Sequence, residues 1–339
     1  MDRRSTIKNR NKSKFIANWS FRVLIFMHIL SMDPMVVFAQ VADVVVTRRA
    51  NSEETIKRNG TIVEWKGSSL TLENNGRRKE IPNESIVEVQ TGWNGSHLKG
   101  NELLEKGLAN EALARYQKAM QEELRPWVKR MISAQLVKVY LMLEQPASAA
   151  KQFLLILNED PDTRFLKLSP LNWAETGTAN PELAKFAQSD TPSIQLLGAS
   201  WLLSVDREKA IRVLTELTTD LDPRIRAMAT AQLWRTRTQV NEKQISVWQS
   251  NLAKMPRQIR AGPLLVLATT QARSGLREAA TLNFMKVRIL YPDQQSLAAA
   301  ALFRAAKLFR QQNDLQAADS LVDELKRVYP QSLWAQQAN

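Results

Sequence analysis

Hydrophobic and polar positions follow two different periods along this chain, and the change falls near residue 95. Before it the period is two. Asp43-Val44-Val45-Val46-Thr47, Thr61-Ile62-Val63-Glu64-Trp65, Ser69-Leu70-Thr71-Leu72-Glu73 and Ser85-Ile86-Val87-Glu88-Val89 each place apolar residues on one face of a strand. Asn59-Gly60, Lys66-Gly67, Asn74-Asn75-Gly76 and Ile81-Pro82-Asn83 supply turns between them. This pattern predicts a small antiparallel β module over residues 40–95. From residue 96 onward apolar residues recur at three and four, the spacing of one helix face.

The clearest helical hairpin closes the chain. Leu302, Ala305, Ala306 and Phe309 share one face, and Ala318, Val322 and Leu325 share the next, with Gln311-Gln312-Asn313-Asp314 as the turn and Tyr329-Pro330 as the stop. The same rhythm occurs three more times. Ala112, Tyr116 and Ala119 mark the first. Leu136, Val137 and Tyr140, then Ala149, Phe153 and Ile156, mark the second, which ends at Pro161. Leu267 and Ala268, then Ala280, Phe284 and Val287, mark the third, which ends at Tyr291-Pro292. Alanine lets the second helix approach the first, the aromatic ring fills the gap to the next hairpin, and proline stops the helix. One hairpin cannot bury its own apolar face, so neighbours are required. Residues 96–161 and 257–339 therefore read as two blocks of stacked hairpins.

Residues 162–256 follow the rhythm less closely. Pro170, Pro181, Pro192 and the polar run Glu175-Thr176-Gly177-Thr178 predict a loop-rich connection with one short helix. Helical spacing returns over residues 193–205, 208–219 and 223–237. The fold class expected is mainly α, an α-solenoid of helical hairpins preceded by a small β module.

Ala-x3-aromatic-x2-small followed by proline, preceded by an apolar helix, resembles the tetratricopeptide repeat. The last two repeats, with their Tyr-Pro endings, resemble the C-terminal repeats of Tol–Pal-associated periplasmic coordinator proteins and of outer-membrane assembly lipoproteins. That resemblance implies protein–protein scaffolding in the envelope. Lys99 and Gln271 stand where the repeat has apolar residues, and a chain without cysteine has no site for the lipoproteins' acyl anchor. Asp222-Pro223-Arg224-Ile225-Arg226-Ala227-Met228-Ala229 resembles the start of the second helix of a HEAT-type repeat. The strand order of the β module resembles small Sm-like or SH3-like barrels, where the closing strand lies beside the first.

Composition adds an address. Arg3, Arg4, Lys8, Arg10, Lys12, Lys14 and Arg22 precede the apolar run Val23 to Leu30, and Val36-Val37-Phe38-Ala39 follows. A basic start, a short apolar centre and small residues at Val37 and Ala39 predict a signal peptide over residues 1–39, cleaved after Ala39. The run is too short to span a membrane and is interrupted at Asp33-Pro34, so no stable span is expected after cleavage. The destination expected is secreted, in the periplasm or cell envelope. The first 39 residues hold 7 of the 47 basic and 2 of the 34 acidic residues, so the remainder carries a net charge of +8. Zero cysteines rule out disulfides, thiol catalysis and cysteine-ligated zinc, and the 2 histidines, one of them His28 in the leader, rule out a multi-histidine metal site.

No phosphate-binding glycine loop, nucleophile elbow or His-Glu-x-x-His occurs, and no cofactor is expected. Candidate chemistry is confined to the acid pairs Glu53-Glu54, Glu122-Glu123 and Asp160/Asp162, which a hydrolase of glycans would use as acid and base. Side by side on a helix they are solvated charges. Trp127, Trp173, Trp201, Trp234, Trp248 and Trp334 either fill helix contacts or line a groove for a sugar-bearing ligand. Arg224, Arg226, Arg235 and Arg237 form a local basic cluster, and Arg77-Arg78-Lys79 a basic hairpin. The leader directs the chain away from nucleic acid. His97 reads as a linker residue, and Trp65 and Trp93 as packing for a module that serves as a docking platform. The function expected is a non-catalytic scaffold that binds protein or peptide partners, with a cell-wall glycan-binding protein as the alternative.

Overall fold

The structure, a computed structural model, describes residues 42–49, 52–173 and 179–338. The signal peptide expected over residues 1–39, with His28, and the run Glu175-Thr176-Gly177-Thr178 lie outside the described residues. The alternating segment forms five antiparallel strands, β1 (Asp43–Arg48), β2 (Thr55–Trp65), β3 (Ser69–Asn74), β4 (Arg77–Pro82) and β5 (Ile86–Gln90), in the order β4-β3-β2-β1-β5. The closing strand does lie beside the first. Asn59-Gly60 is not a turn: it sits inside the 11-residue β2. A side chain at Gly60 would meet the Glu73 carbonyl oxygen at 2.4 Å, so glycine there permits a close strand approach, and the register shifts between Ile62 and Glu64. Arg77, Arg78 and Lys79 lie in β4. The turn itself is Asn75-Gly76, at φ 51° and 72°.

The helical part begins with α1 (Gly95–Glu105), α2 (Ala109–Glu122), α3 (Pro126–Met142) and α4 (Pro146–Glu159). A 3-10 turn, Arg164–Leu168, follows, then the short α5 (Pro181–Ala184), α6 (Pro192–Leu202), α7 (Arg207–Leu217), α8 (Pro223–Trp234) and α9 (Glu242–Lys254). The chain finishes with α10 (Ala261–Arg273), α11 (Arg277–Leu290), α12 (Gln295–Gln311), α13 (Leu315–Val328) and the short α14 (Leu333–Gln337).

Four hairpins, α1/α2, α3/α4, α10/α11 and α12/α13, are built alike. Each turn holds one residue at positive φ, respectively Gly107, Glu144, Gly275 and Asn313. Each second helix has 14 residues, and its fourth is the fully buried alanine: Ala112, Ala149, Ala280 and Ala318. Tyr116, Ala119, Phe153 and Phe284 are buried too, while Tyr140 and Phe309 are half-buried and Pro161, Pro292 and Pro330 are exposed beyond the helix ends. The α6/α7 hairpin shares the buried alanine of this plan, with a shorter second helix of 11 residues. Ala210 is the fourth residue of α7, with Leu214 and Leu217 buried after it.

Two packing features depart from an open stack beside a separate module. First, α12 packs against α3 as well as α10. The side-chain amide of Gln295 donates to the Leu104 carbonyl at 3.0 Å, and the Asn110 backbone N–H donates to Gln331 Oε1 at 2.7 Å. Ala298, Leu302, Val322 and Tyr329 thereby share a core with Leu104, Tyr116, Leu136 and Val139. The last hairpin is seated on the first two, and α3, α10 and α12 border a cleft. Second, Val45, Ile62, Leu70 and Ile81 join that same core through Trp127 and Ile132, so the β sheet is packed on α3. Arg130, 4% exposed, ties the two parts with ion pairs to Glu64 and, at 3.0 Å, to Glu159.

His97 belongs to this junction, buried edge-on between Trp93 and Tyr116 at ring separations of 5.4 and 6.0 Å. It is no linker residue. Burial pushes its pKa below the usual 6.5, opposed by the Glu123 carboxylate and reinforced by Arg125. The unfolded chain therefore binds a proton in a range where the folded chain does not. Stability is full above about pH 6.5 and falls as pH drops from there through the lowered folded value. Urea denaturation at several pH values checks this. His97→Gln should flatten the decline, and an unchanged decline would assign it to other groups.

Candidate functional site: the inner cleft

The cleft is walled by α3, α10, α12 and the segment 164–173, and it widens along its length. Its narrow end, a cavity of about 70 Å³, lies between Lys138 of α3, Lys167, Ser169 and the first turn of α12. A middle section of about 120 Å³ adds Trp201, Leu265 and Glu144, and continues from the narrow end through Leu141, Leu171, Trp173 and Leu297. The wide end, about 410 Å³, is continuous with the middle through Arg304 and Trp334 and includes Arg273, Phe303 and Lys307.

Local sequence explains these placements. Gly262 in α10 carries no Cβ, and one would stand 2.1 Å from the Trp173 ring, so the indole lies directly on the helix. Trp201 Nε1 donates to the Pro170 carbonyl at 2.9 Å, which fixes its ring beside the same loop. Arg304 Nη1 donates to Thr269 Oγ1 at 2.6 Å and holds its guanidinium 5.8 Å from the Trp334 ring centre.

The lining is predominantly basic. Lys167 Nζ pairs with Asp293 Oδ2 at 2.6 Å. Burial pushes the Lys138 ammonium below its usual value, with Asp293 opposing and the Lys167 charge adding to the shift. Burial raises the Glu144 carboxyl, the acid of the middle section. Among the described residues, the wide end is lined by three cationic side chains, Arg273, Arg304 and Lys307.

The repeat-defining residues mostly form the framework behind this surface. Tyr116 and Pro292 border a side pocket, and Phe284 borders the wide end. Trp173, Trp201 and Trp334 line the cleft. Trp127 fills the β–α junction, and Trp234 and Trp248 stack on each other at 5.0 Å in the core.

The other candidates are engaged elsewhere. Arg224 pairs with Asp222 at 2.7 Å, Arg226 donates to the Leu221 carbonyl at 2.9 Å, and Arg235 donates to the Ser200 carbonyl at 3.1 Å. Burial brings the Arg235 guanidinium down to about 10. Glu54 pairs with Arg49, Glu123 with Arg125, and Asp160 accepts from the Gly67 N–H. None of the six paired acids lines the cleft.

Lys138, Lys167 and Asp293 escaped sequence reasoning because three separate elements supply them. Among the described residues, no group of three or more His, Asp and Glu side chains is placed to hold a metal ion, and no helix is long and apolar enough to cross a membrane. No protein-family model, curated protein or solved structure matches the chain.

Proposed function

We propose that the chain is a non-catalytic scaffold of the cell envelope, whose tetratricopeptide-like hairpins wind into a closed solenoid and whose cleft holds an acidic segment of a partner protein. The observation that carries this reading is the wide end, whose described lining sets Arg273, Arg304 and Lys307 beside Phe303 and Trp334. Cationic and aromatic groups together suit a chain that presents carboxylates beside apolar side chains. The basic, apolar leader supports an extracytoplasmic address.

The test is a crosslinking pull-down from an envelope extract, with residues 40–339 as bait and Lys307→Glu alongside. Lys307 is exposed, so its charge reverses without disturbing the core. Discrete proteins retained by the native chain and depleted at least fivefold by the variant are expected. Equal recovery by both would contradict the reading. A second reading, wall-glycan binding, is favoured by the half-buried Trp334 ring at the cleft edge. Pelleting with purified peptidoglycan that is lost in Trp334→Ala would select it.

A further inference from the structure

We infer that the narrow end of the cleft is a binding site for a small monocarboxylic acid with a short aliphatic body. Three elements converge on this cavity: α3 with Lys138, the segment with Lys167 and Ser169, and the N-terminal turn of α12. The side chain of Gln294 does not cap α12. The N–H groups of Gln295, Ser296 and Leu297 have no intrahelical acceptor, and the 17-residue helix places its positive end there.

Two further observations point to a ligand. Ser169, 7% exposed, lines the same cavity, and its Oγ has no hydrogen-bond partner. Lys138 has no hydrogen bond or ion pair among the described residues, because the nearby Asp293 is taken by Lys167. A buried hydroxyl and a partly buried ammonium, each without a partner, are costly unless an acceptor arrives.

The charge tally selects the class. Among the described lining residues, two lysines against one aspartate leave one positive charge, which a monoanion neutralises and a dianion overshoots. Leu141, Leu168, Leu171 and Leu297 form the remaining wall. A water needs about 10–15 Å³ on the same measure, so roughly 70 Å³ holds a carboxylate and a few carbons. This inference concerns a small free ligand and does not depend on a protein partner at the wide end.

The test is titration of residues 40–339 with sodium butyrate, followed by calorimetry and by tryptophan fluorescence, since Trp173 lines the cavity. Butyramide, the neutral isostere, and sodium phosphate are titrated in parallel at constant ionic strength. Saturable butyrate binding is expected, with butyramide and Lys138→Met each weaker by at least about tenfold, the usual worth of a charged hydrogen bond. Ser169→Ala should weaken butyrate several-fold, and it tests the site if Lys138→Met does not fold. Equal binding of butyramide, tighter binding of phosphate, or no butyrate binding would overturn the inference. Butyrate binding in a chain that captures no protein would remove only the scaffold reading.

Discussion

Replacing Trp127 with alanine is expected to destabilise the protein by about 4 kcal/mol, within the range for emptying a large buried aromatic site. Trp127 is 1% exposed at the start of α3, and its ring lies 5.9 Å from both Trp65 and Trp93. Its Nε1 donates to the Ile62 carbonyl inside β2 at 3.1 Å, and the Arg125 guanidinium sits 5.4 Å from its ring centre. Truncation therefore opens a cavity, leaves a buried strand carbonyl without its donor and separates three indoles at once. Trp334→Ala, at a half-buried ring, should cost about 1–2 kcal/mol. Urea denaturation with near-ultraviolet dichroism measures both. A loss under about 1.5 kcal/mol for Trp127→Ala would mean that the β sheet and helices do not share a core.

The second large effect separates closure from local backbone strain. Gly107 and Gly275 occupy the same place in two hairpins, at φ 72° and 80°. A methyl group at Gly275 would meet nothing within 4 Å, whereas one at Gly107 would stand 2.5 Å from the Val328 carbonyl oxygen and 2.6 Å from Pro330. Gly275→Ala should cost only the left-handed penalty, about 1–2 kcal/mol. Gly107→Ala should add about 1–3 kcal/mol, because the obstacle is backbone of the last hairpin and cannot rotate away. Thermal unfolding of the two variants gives the difference. Equal losses would place Val328 and Pro330 away from the first hairpin.

Much of this fold is written in short-range pattern. Ala149-x3-Phe153 and Ala280-x3-Phe284 announce a second helix because only alanine fits where two helices touch, and the structure buries those residues completely or nearly so. The α6/α7 hairpin was passed over for an equally local reason. Leu214 replaces the aromatic, and Pro223 stands thirteen residues after Ala210 where three other hairpins have twelve. Asn59-Gly60 misled because glycine serves both turns and close backbone approach, and only the position of β3 decides between them. His97 looked like a linker because nothing beside it in sequence announces Trp93 and Tyr116 as its walls. The cleft was the least legible part. Lys138, Lys167, Asp293 and Trp334 have no mutual spacing, and only the return of α12 to α3 brings their elements together.

That return is the claim on which the cleft depends, and it can be measured directly. The chain has no cysteine, so Asn110→Cys and Gln331→Cys introduce the only two thiols, at positions 221 residues apart in sequence whose native groups meet at 2.7 Å. A short bifunctional maleimide applied at high dilution should link the two within one folded molecule rapidly and almost completely, and only slowly in urea. Folded protein that takes two separate maleimides, with the link no faster than in urea, would show an open array and contradict the account.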